Sequence, residues 1–284
     1  MKKKIVLITG ASSGFGFLTA IELAKQDYVV IATMRDLSKK EILVSTANQL
    51  HLDNLKILQL DVTNLDQINE LKESIYKQYE TIDILINNAG YSVGGMTEHV
   101  SLQEWREQLD TNLFGVIAVT KAFLPLMRKK RGGKIINLGS ISGRFGFPGL
   151  GPYVTSKFAL SGFSESLRLE LLPFHIYVSL IEAGSFKTDI WEKALSNNHF
   201  ADENDYTPYL KKIYQAAEQS AKNAADPKEV IQVIQKICSS NKPKFRYQVG
   251  KGVRSLVILK NLLPWSFAER MIIKQIYRSE QKKR

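Results

Sequence analysis

The chain has 284 residues, 44% of them apolar and 24% charged, with a single cysteine, Cys238. A chain of this size buries about three quarters of the surface its unfolded form exposes, so it needs no disulfide framework or structural zinc, and one cysteine supplies neither. The net charge of +11 is concentrated, since residues 241–284 hold 12 Lys/Arg against 2 Asp/Glu while residues 1–240 hold 27 against 26; the body is neutral, and the basic stripe that nucleic acid requires is missing from it.

At the start, three lysines precede Ile5-Val6-Leu7-Ile8. That apolar run stops at Thr9-Gly10, short of the roughly 7–15 residues of a signal-peptide core, and is expected to be a buried first strand. Further strands are expected at Tyr28–Thr33, Leu55–Gln59, Ile82–Asn87, Gly133–Leu138 and Ile176–Glu182, the first ending at Thr9. Their near-continuous hydrophobicity suits strands covered on both faces. Helical patterns lie between them at Gly14–Gln26, Asn64–Gln78, Leu102–Lys130 and Tyr153–Leu172. The alternation predicts an α/β fold: one doubly wound domain with a parallel sheet and right-handed crossovers, over residues 1–240.

After Glu182 the pattern becomes polar and helix-leaning, at Ile190–Leu195 and Tyr209–Asn223. Asp226-Pro227 is a helix start, and the helix is expected to reach about Ser239, with Cys238 beside Val230, Val233, Ile234 and Ile237 in its apolar pattern. Residues 241–284 are expected to form a basic helical extension packed on the domain. The alternative for its mixed apolar and basic stretches, Arg254–Lys260 and Phe267–Tyr277, is a membrane-surface helix.

The first strand runs into Thr9-Gly10-Ala11-Ser12-Ser13-Gly14-Phe15-Gly16 and then into a helix. Glycines permit positive φ and close backbone approach, and a helix N-terminus offers free N–H groups to a pyrophosphate. At the end of the second strand, Thr33 stands where an NAD site places a carboxylate, and Arg35 suits a 2′-phosphate. Asp36 is a second possible ribose partner. Asn87-Asn88-Ala89-Gly90 ends the fourth strand, Asn112 lies in the long helical stretch, Gly139-Ser140 ends the fifth strand, and Tyr153-Val154-Thr155-Ser156-Lys157 puts Tyr153 and Lys157 on one helix face. The histidines His51, His99, His175 and His199 are scattered without ligand spacing, so no metal is expected.

In this order the motifs resemble the classical short-chain dehydrogenase/reductase family, across residues 3–190. Ala32-Thr33-Met34-Arg35-Asp36-Leu37, Ser156-Lys157-Phe158-Ala159-Leu160, Leu172-Pro173-Phe174, Ser179-Leu180-Ile181-Glu182 and Arg246–Lys251 are similar to the branch holding 17β-hydroxysteroid and retinol dehydrogenases. The resemblance implies an NADP(H)-dependent oxidoreductase acting on a hydrophobic alcohol/carbonyl pair. Tyr153 would be the proton donor, with Lys157 lowering its pKa and holding the nicotinamide ribose. Ser140 would orient the substrate oxygen, and Asn112 would support a proton-relaying water. Gly10, Ser12, Ser13, Gly14, Phe15, Gly16, Asn88, Ala89 and Gly90 would line the cofactor, with Arg35 at the 2′-phosphate, Asp61 and Val62 at the adenine, and Thr188 at the carboxamide.

Residues 184–225 correspond to the family's variable substrate lid. The cleft is expected between Tyr91–Met96, Ile141–Gly151 and 184–210, with Phe186 and Trp191 beside Ser140 and Tyr153 as substrate lining. The chain departs from the family at Ala183-Gly184, where Pro-Gly is usual; the change is expected to loosen that turn. A homodimer or homotetramer in the cytoplasm is the expected state. Two rivals were weighed: a non-catalytic NADP(H) sensor, and a lipid carbonyl reductase anchored to a membrane surface by the tail.

Overall fold

Every residue of Ile5–Ile8 is apolar and buried, and this strand, β1, lies inside the sheet, third of seven strands. The computed structural model describes residues 3–188 and 205–277. The other strands are β2 (Val29–Met34), β3 (Leu55–Gln59), β4 (Ile84–Asn87), β5 (Gly133–Leu138), β6 (Ile176–Ala183) and β7 (Arg246–Val249). They form a seven-stranded sheet in the order β3-β2-β1-β4-β5-β6-β7, and every neighbouring pair is parallel. Chain order reverses between β1 and β4, where Val6 is flanked by Val30 on one side and Ile84 on the other. The crevice beyond the carboxyl ends of those two strands is where a doubly wound sheet binds ligands.

The described helices are α1 (Gly14–Ala24), α2 (Glu41–Gln49), α3 (Leu65–Tyr79), α4 (Leu102–Leu109), α5 (Gly115–Lys130), α6 (Gly151–Leu171), α7 (Thr207–Lys222), α8 (Lys228–Ser239), α9 (Val253–Leu262) and α10 (Trp265–Tyr277). Their starts follow from local chemistry. Asn64 accepts from the Asp66 and Gln67 N–H groups ahead of α3, and Ser101 with Glu104 forms a reciprocal capping box on α4. Asp226 accepts from the Lys228 N–H and so opens α8 as expected.

Alternate strand residues face opposite layers, as the two-residue period requires. Val6, Ile8, Val30, Ile84 and Ile136 pack with Ala20 and Leu23 of α1 and Val230 and Ile234 of α8. Ile5, Leu7, Ile31, Leu85 and Ile135 pack on the other face with Ile68 of α3, Phe123 of α5 and Leu167 of α6. The 29-residue stretch Leu102–Lys130 is long and apolar enough to cross a membrane by length and composition. In this fold its apolar side, Val119, Phe123 and Met127, covers the sheet.

Two expectations change. The basic extension does not begin at residue 241 as a separate layer, because Arg246–Val249 is the seventh strand of the sheet. A four-residue edge strand of alternating polar and apolar residues gives too little hydrophobic signal to be read from sequence. The turn after β6 is also not loosened by Ala183, since Ala183 pairs with Val249 and the Gly184 N–H donates to the Val249 carbonyl at 2.9 Å.

β7 is tied to the body by charge as well. Glu182, with 2% of its side chain exposed, accepts from Arg144 Nε at 2.7 Å and from an Arg246 guanidinium N–H at 2.6 Å. Removing the carboxylate leaves two largely buried cations facing each other. Glu182→Ala is therefore expected to cost about 3 kcal/mol. A fall in the urea midpoint at unchanged slope would show it, and an unaltered midpoint would refute it.

Candidate active site

The loop between β1 and α1 needs glycine for steric reasons that the structure makes explicit. Gly10 has φ +68°, and a Cβ there would lie 2.7 Å from the Ala89 Cα. A Cβ on Gly16 would lie 2.3 Å from the Gly10 carbonyl oxygen. Across the crevice, Asn88 Nδ2 donates to the Thr9 and Gly10 carbonyls at 2.9 and 2.8 Å. Thr9 Oγ1 in turn accepts from the Asn88 and Ala89 N–H groups, each at 3.0 Å. Ser13 is extended and its side chain makes no capping bond to α1. The donors of that first turn are thus left for an anion, and the cradle fits a dinucleotide pyrophosphate. Ser12 and Ser13 are half-buried in the loop, and Thr188 lies 3.5 Å from where a Gly14 Cβ would be.

The ribose end of the crevice lies at the end of β2. Thr33 is fully buried and donates to the Ile8 carbonyl at 3.0 Å, so it points into the core and not at a ligand. Arg35 is the first exposed side chain after β2. The Asp36 carboxylate accepts from Ser38 N and Oγ at 3.0 and 2.6 Å, bonds that hold it below the ordinary carboxylate range and occupy it locally. Asp61 is engaged in the same way by Thr63 N and Oγ1, at 2.9 and 2.7 Å. Beside it, Val62 is buried against Gly115, whose added Cβ would meet Val62 Cγ2 at 2.7 Å.

The expected catalytic residues converge at the carboxyl end of β5. Ser140 follows that strand, is 8% exposed, and accepts from the Ser142 N–H at 3.0 Å. Tyr153 and Lys157 stand on successive turns of α6, the Tyr153 hydroxyl bonded to Ser140 and Lys157 Nζ 5.6 Å from the Tyr153 ring centre. Asn112 sits in a π-helical turn, Asp110–Phe114, between α4 and α5. Its Nδ2 donates to the Tyr91 carbonyl at 2.9 Å and to Ser156 Oγ at 3.1 Å, and its Oδ1 accepts from the Tyr91 N–H at 3.1 Å. Such a bulge turns an inward side chain away from the helical register, and bulges of this kind recur at functional sites.

The electrostatics differ from the expectation that Lys157 draws the phenol down. Burial pushes the Tyr153 hydroxyl above its ordinary value, with the Ser140 bond opposing that rise. Burial also brings Lys157 down to about 8, and its Nζ donates to the Leu138 carbonyl at 2.8 Å. Desolvation is the leading cause of both shifts.

The expected cleft walls do meet. The Gly95 N–H donates to the Gly149 carbonyl at 2.8 Å, and Gly95 bridges Leu150, joining Tyr91–Met96 to Ile141–Gly151. Ile213 of α7 covers Gly149, and the His99 and Tyr206 rings meet edge-on at 5.4 Å. Gln108, unrecognised in the sequence, is fully buried. It accepts from the Val93 N–H at 2.7 Å and donates to the Tyr91 carbonyl at 2.8 Å. Its signal was its place one turn before Asn112 on the same helical stretch.

Phe186 is a correction, because it is 2% exposed and packs edge-on against Phe15 at 5.7 Å and against Gly250. A bridge to Ala225 sets it in the core beneath the loop, so Phe186 is not free to line a cleft. Trp191 lies outside the described residues.

The sequence model of the short chain dehydrogenase family matches residues 4–199. The chain belongs to that family. It is 46% identical over 281 residues to the uncharacterized oxidoreductase YusZ of Bacillus subtilis, covering 98% of this chain and 100% of that one. It is 36% identical over 268 residues to human retinol dehydrogenase 8, covering 91% and 85%. The solved structure of ElxO with NADP bound superposes at TM-score 0.74 with 27% identity, covering 89% of this chain and 100% of that one. The likeness to the retinol and 17β-hydroxysteroid dehydrogenase branch is thereby borne out. The solved structures of ElxO and of a serine dehydrogenase, 27% and 29% identical to this chain, each hold NADP.

Lys157 carries a stability consequence. A shift from 10.5 to about 8 penalises the charged form by roughly 3 kcal/mol, offset by about 1 kcal/mol from the bond to Leu138. The folded chain releases this proton near pH 8 and the unfolded chain near 10.5, so the penalty is whole below pH 8 and fades between those values. Lys157→Met is expected to unfold about 2 kcal/mol harder than the wild type at pH 7, with the gap closing towards pH 10. Urea titration across that range checks it, and a variant that is weaker at pH 7 would contradict it.

Proposed function

We propose that this protein is an NADP(H)-dependent oxidoreductase that interconverts a hydrophobic secondary alcohol and its ketone, or an alcohol and its aldehyde. One observation carries the reading. Ser140, Tyr153 and Lys157 lie side by side, and Asn112 reaches the Tyr153 backbone through Ser156, near the cradle of Gly10, Gly16 and Asn88. The bound nicotinamide supplies or accepts the hydride, and the residues below hold the other partners of the reaction.

In the reducing direction the substrate oxygen gains negative charge and needs a proton donor within about 3 Å. Burial keeps the Tyr153 phenol protonated near neutral pH, which is the form a donor needs. Ser140, bonded to the same hydroxyl, orients that oxygen. Lys157 places an ammonium beneath the tyrosine ring, where it stabilises the phenolate left after transfer. Asn112 fixes the Tyr91 backbone and Ser156 and so holds the floor of the cluster. Thr188 over Gly14 stands where a carboxamide would be gripped.

The preference for NADP(H) rests on Arg35. With Thr33 turned inward and Asp36 occupied by Ser38, Arg35 is the exposed cation at the end of β2. The name of human retinol dehydrogenase 8, with its apolar substrate, supports the hydrophobic substrate class. A cofactor sensor without turnover is not favoured, since Ser140, Tyr153 and Lys157 are all present and assembled.

NADPH oxidation across a panel of apolar ketones and aldehydes tests the assignment, and no turnover with any of them would count against it. Tyr153→Phe should abolish that turnover while leaving cofactor affinity nearly unchanged, because only the hydroxyl is lost. Arg35→Ala should raise the KM for NADPH about ten- to a hundred-fold, the loss of one charge-assisted contact, and leave NADH almost untouched. Equal wild-type efficiency with both cofactors would overturn the role given to Arg35.

A further inference from the structure

The last two helices carry an apolar face that the fold leaves uncovered. In α9, Val253 and Val257 are buried, with Val253 packed on Gly184, while Leu256, Ile258, Leu259 and Leu262 are exposed. At 3.6 residues per turn those four lie within about 160° of the circumference, opposite the buried pair. Beyond Pro264, Trp265 and Phe267 are exposed as well, with Leu262 75% and Trp265 63% exposed. Natural monomers seldom expose a contiguous apolar patch of this kind without a use for it.

The inner side of α9 is meanwhile satisfied. Lys260 Nζ donates to the Arg144 carbonyl and lies over the Phe145 and Phe158 rings. The outward face is therefore not the result of an undocked helix. It is set beside the loop that follows Ser140, at the edge of the cleft.

Charge identifies what would cover it. Lys251 and Arg254 border α9, Arg270 and Lys274 lie on α10, and residues 241–284 hold 12 Lys/Arg against 2 Asp/Glu. A second copy would bring the same surplus against itself across a self-complementary interface. An anionic bilayer surface matches both properties, since it attracts the cations and accepts the apolar side chains at the headgroup boundary, where tryptophan is favoured. Spanning is excluded for these helices by length, as α9 has 10 residues and α10 has 13, against about 20 needed.

We propose that α9 and the start of α10 dock this protein on the surface of anionic membranes, with Leu256, Leu259, Leu262 and Trp265 entering the headgroup boundary. The binding itself does not depend on the chemistry proposed above, so each can fail without the other.

Flotation of the full chain with vesicles rich in phosphatidylglycerol, against phosphatidylcholine alone, tests the proposal. Binding is expected on the anionic vesicles at low salt and should weaken steeply as salt rises. Leu259→Glu with Leu262→Glu should lower the bound fraction about tenfold or more, since both side chains are exposed and leave the core intact. Melting curves matching the wild type would show that the variant is folded. In the wild type, vesicles should shift tryptophan emission to the blue, and Trp265→Phe should remove that shift while Trp105 and Trp191 remain. Absence of binding at low salt would overturn the proposal. So would a wild-type dimer that the double variant splits without any lipid binding, which would make the face an interface between copies.

Discussion

The structure depends on the stitch across the switch point of the sheet. Thr9 and Gly10 end β1, Asn88 and Ala89 follow β4, and four hydrogen bonds of 2.8–3.0 Å join the two strand ends. Each contributes about 1 kcal/mol net, but the geometry they impose matters more than the sum. With the two ends held this close, no side chain fits at Gly10 or Gly16, and the backbone itself becomes the wall of the crevice. Everything that binds or reacts in this protein is arranged around that opening.

The segment after β4 is held against α6 by bonds from buried side chains. Gln108 and Asn112, one turn apart, both grip the Tyr91 carbonyl, and Asn112 also reaches Ser156 on α6. The π-helical turn at Asp110–Phe114 lets the second of these face inward while α5 continues its own packing on the sheet. Lys157 is the energetic counterweight. Its burial disfavours its own charge, and the hydrogen bond to Leu138 only partly offsets this. A desolvated ammonium beside a desolvated phenol costs stability, and perturbed groups of this kind cluster at functional sites.

The carboxyl-terminal part of the chain closes the other side. Glu182 receives Arg144 from the loop after β5 and Arg246 from β7, and Arg246 also meets Glu165 on α6 at 2.6 Å. Lys260 then fastens α9 to the Arg144 carbonyl. One network of charges thus links the loop next to Ser140, the last strand and the helix whose outer face is apolar. A disturbance at the terminal helices has a short physical route to the mouth of the cleft, through contiguous hydrogen bonds.

The sequence by itself determined the parallel sheet, because strands buried on both faces leave unbroken apolar runs, as in Ile5–Ile8 and Ile84–Ile86. It also determined the glycine loop and the spacing of Tyr153 and Lys157, since those follow from sterics and helical period within a few residues of chain. Tertiary structure decided what depends on residues far apart. Phe186 read as substrate lining and proved to be core, because a bridge to Ala225 turns it inward. Gln108 read as an ordinary polar helix residue and proved to be fully buried, because its two partners come from the loop after β4. The strand Arg246–Val249 was invisible as a run of alternating character, and only its neighbour β6 made it part of the sheet. Local sequence carries periodicity and steric need, whereas facing direction and desolvation are set by whichever distant segment arrives to pack.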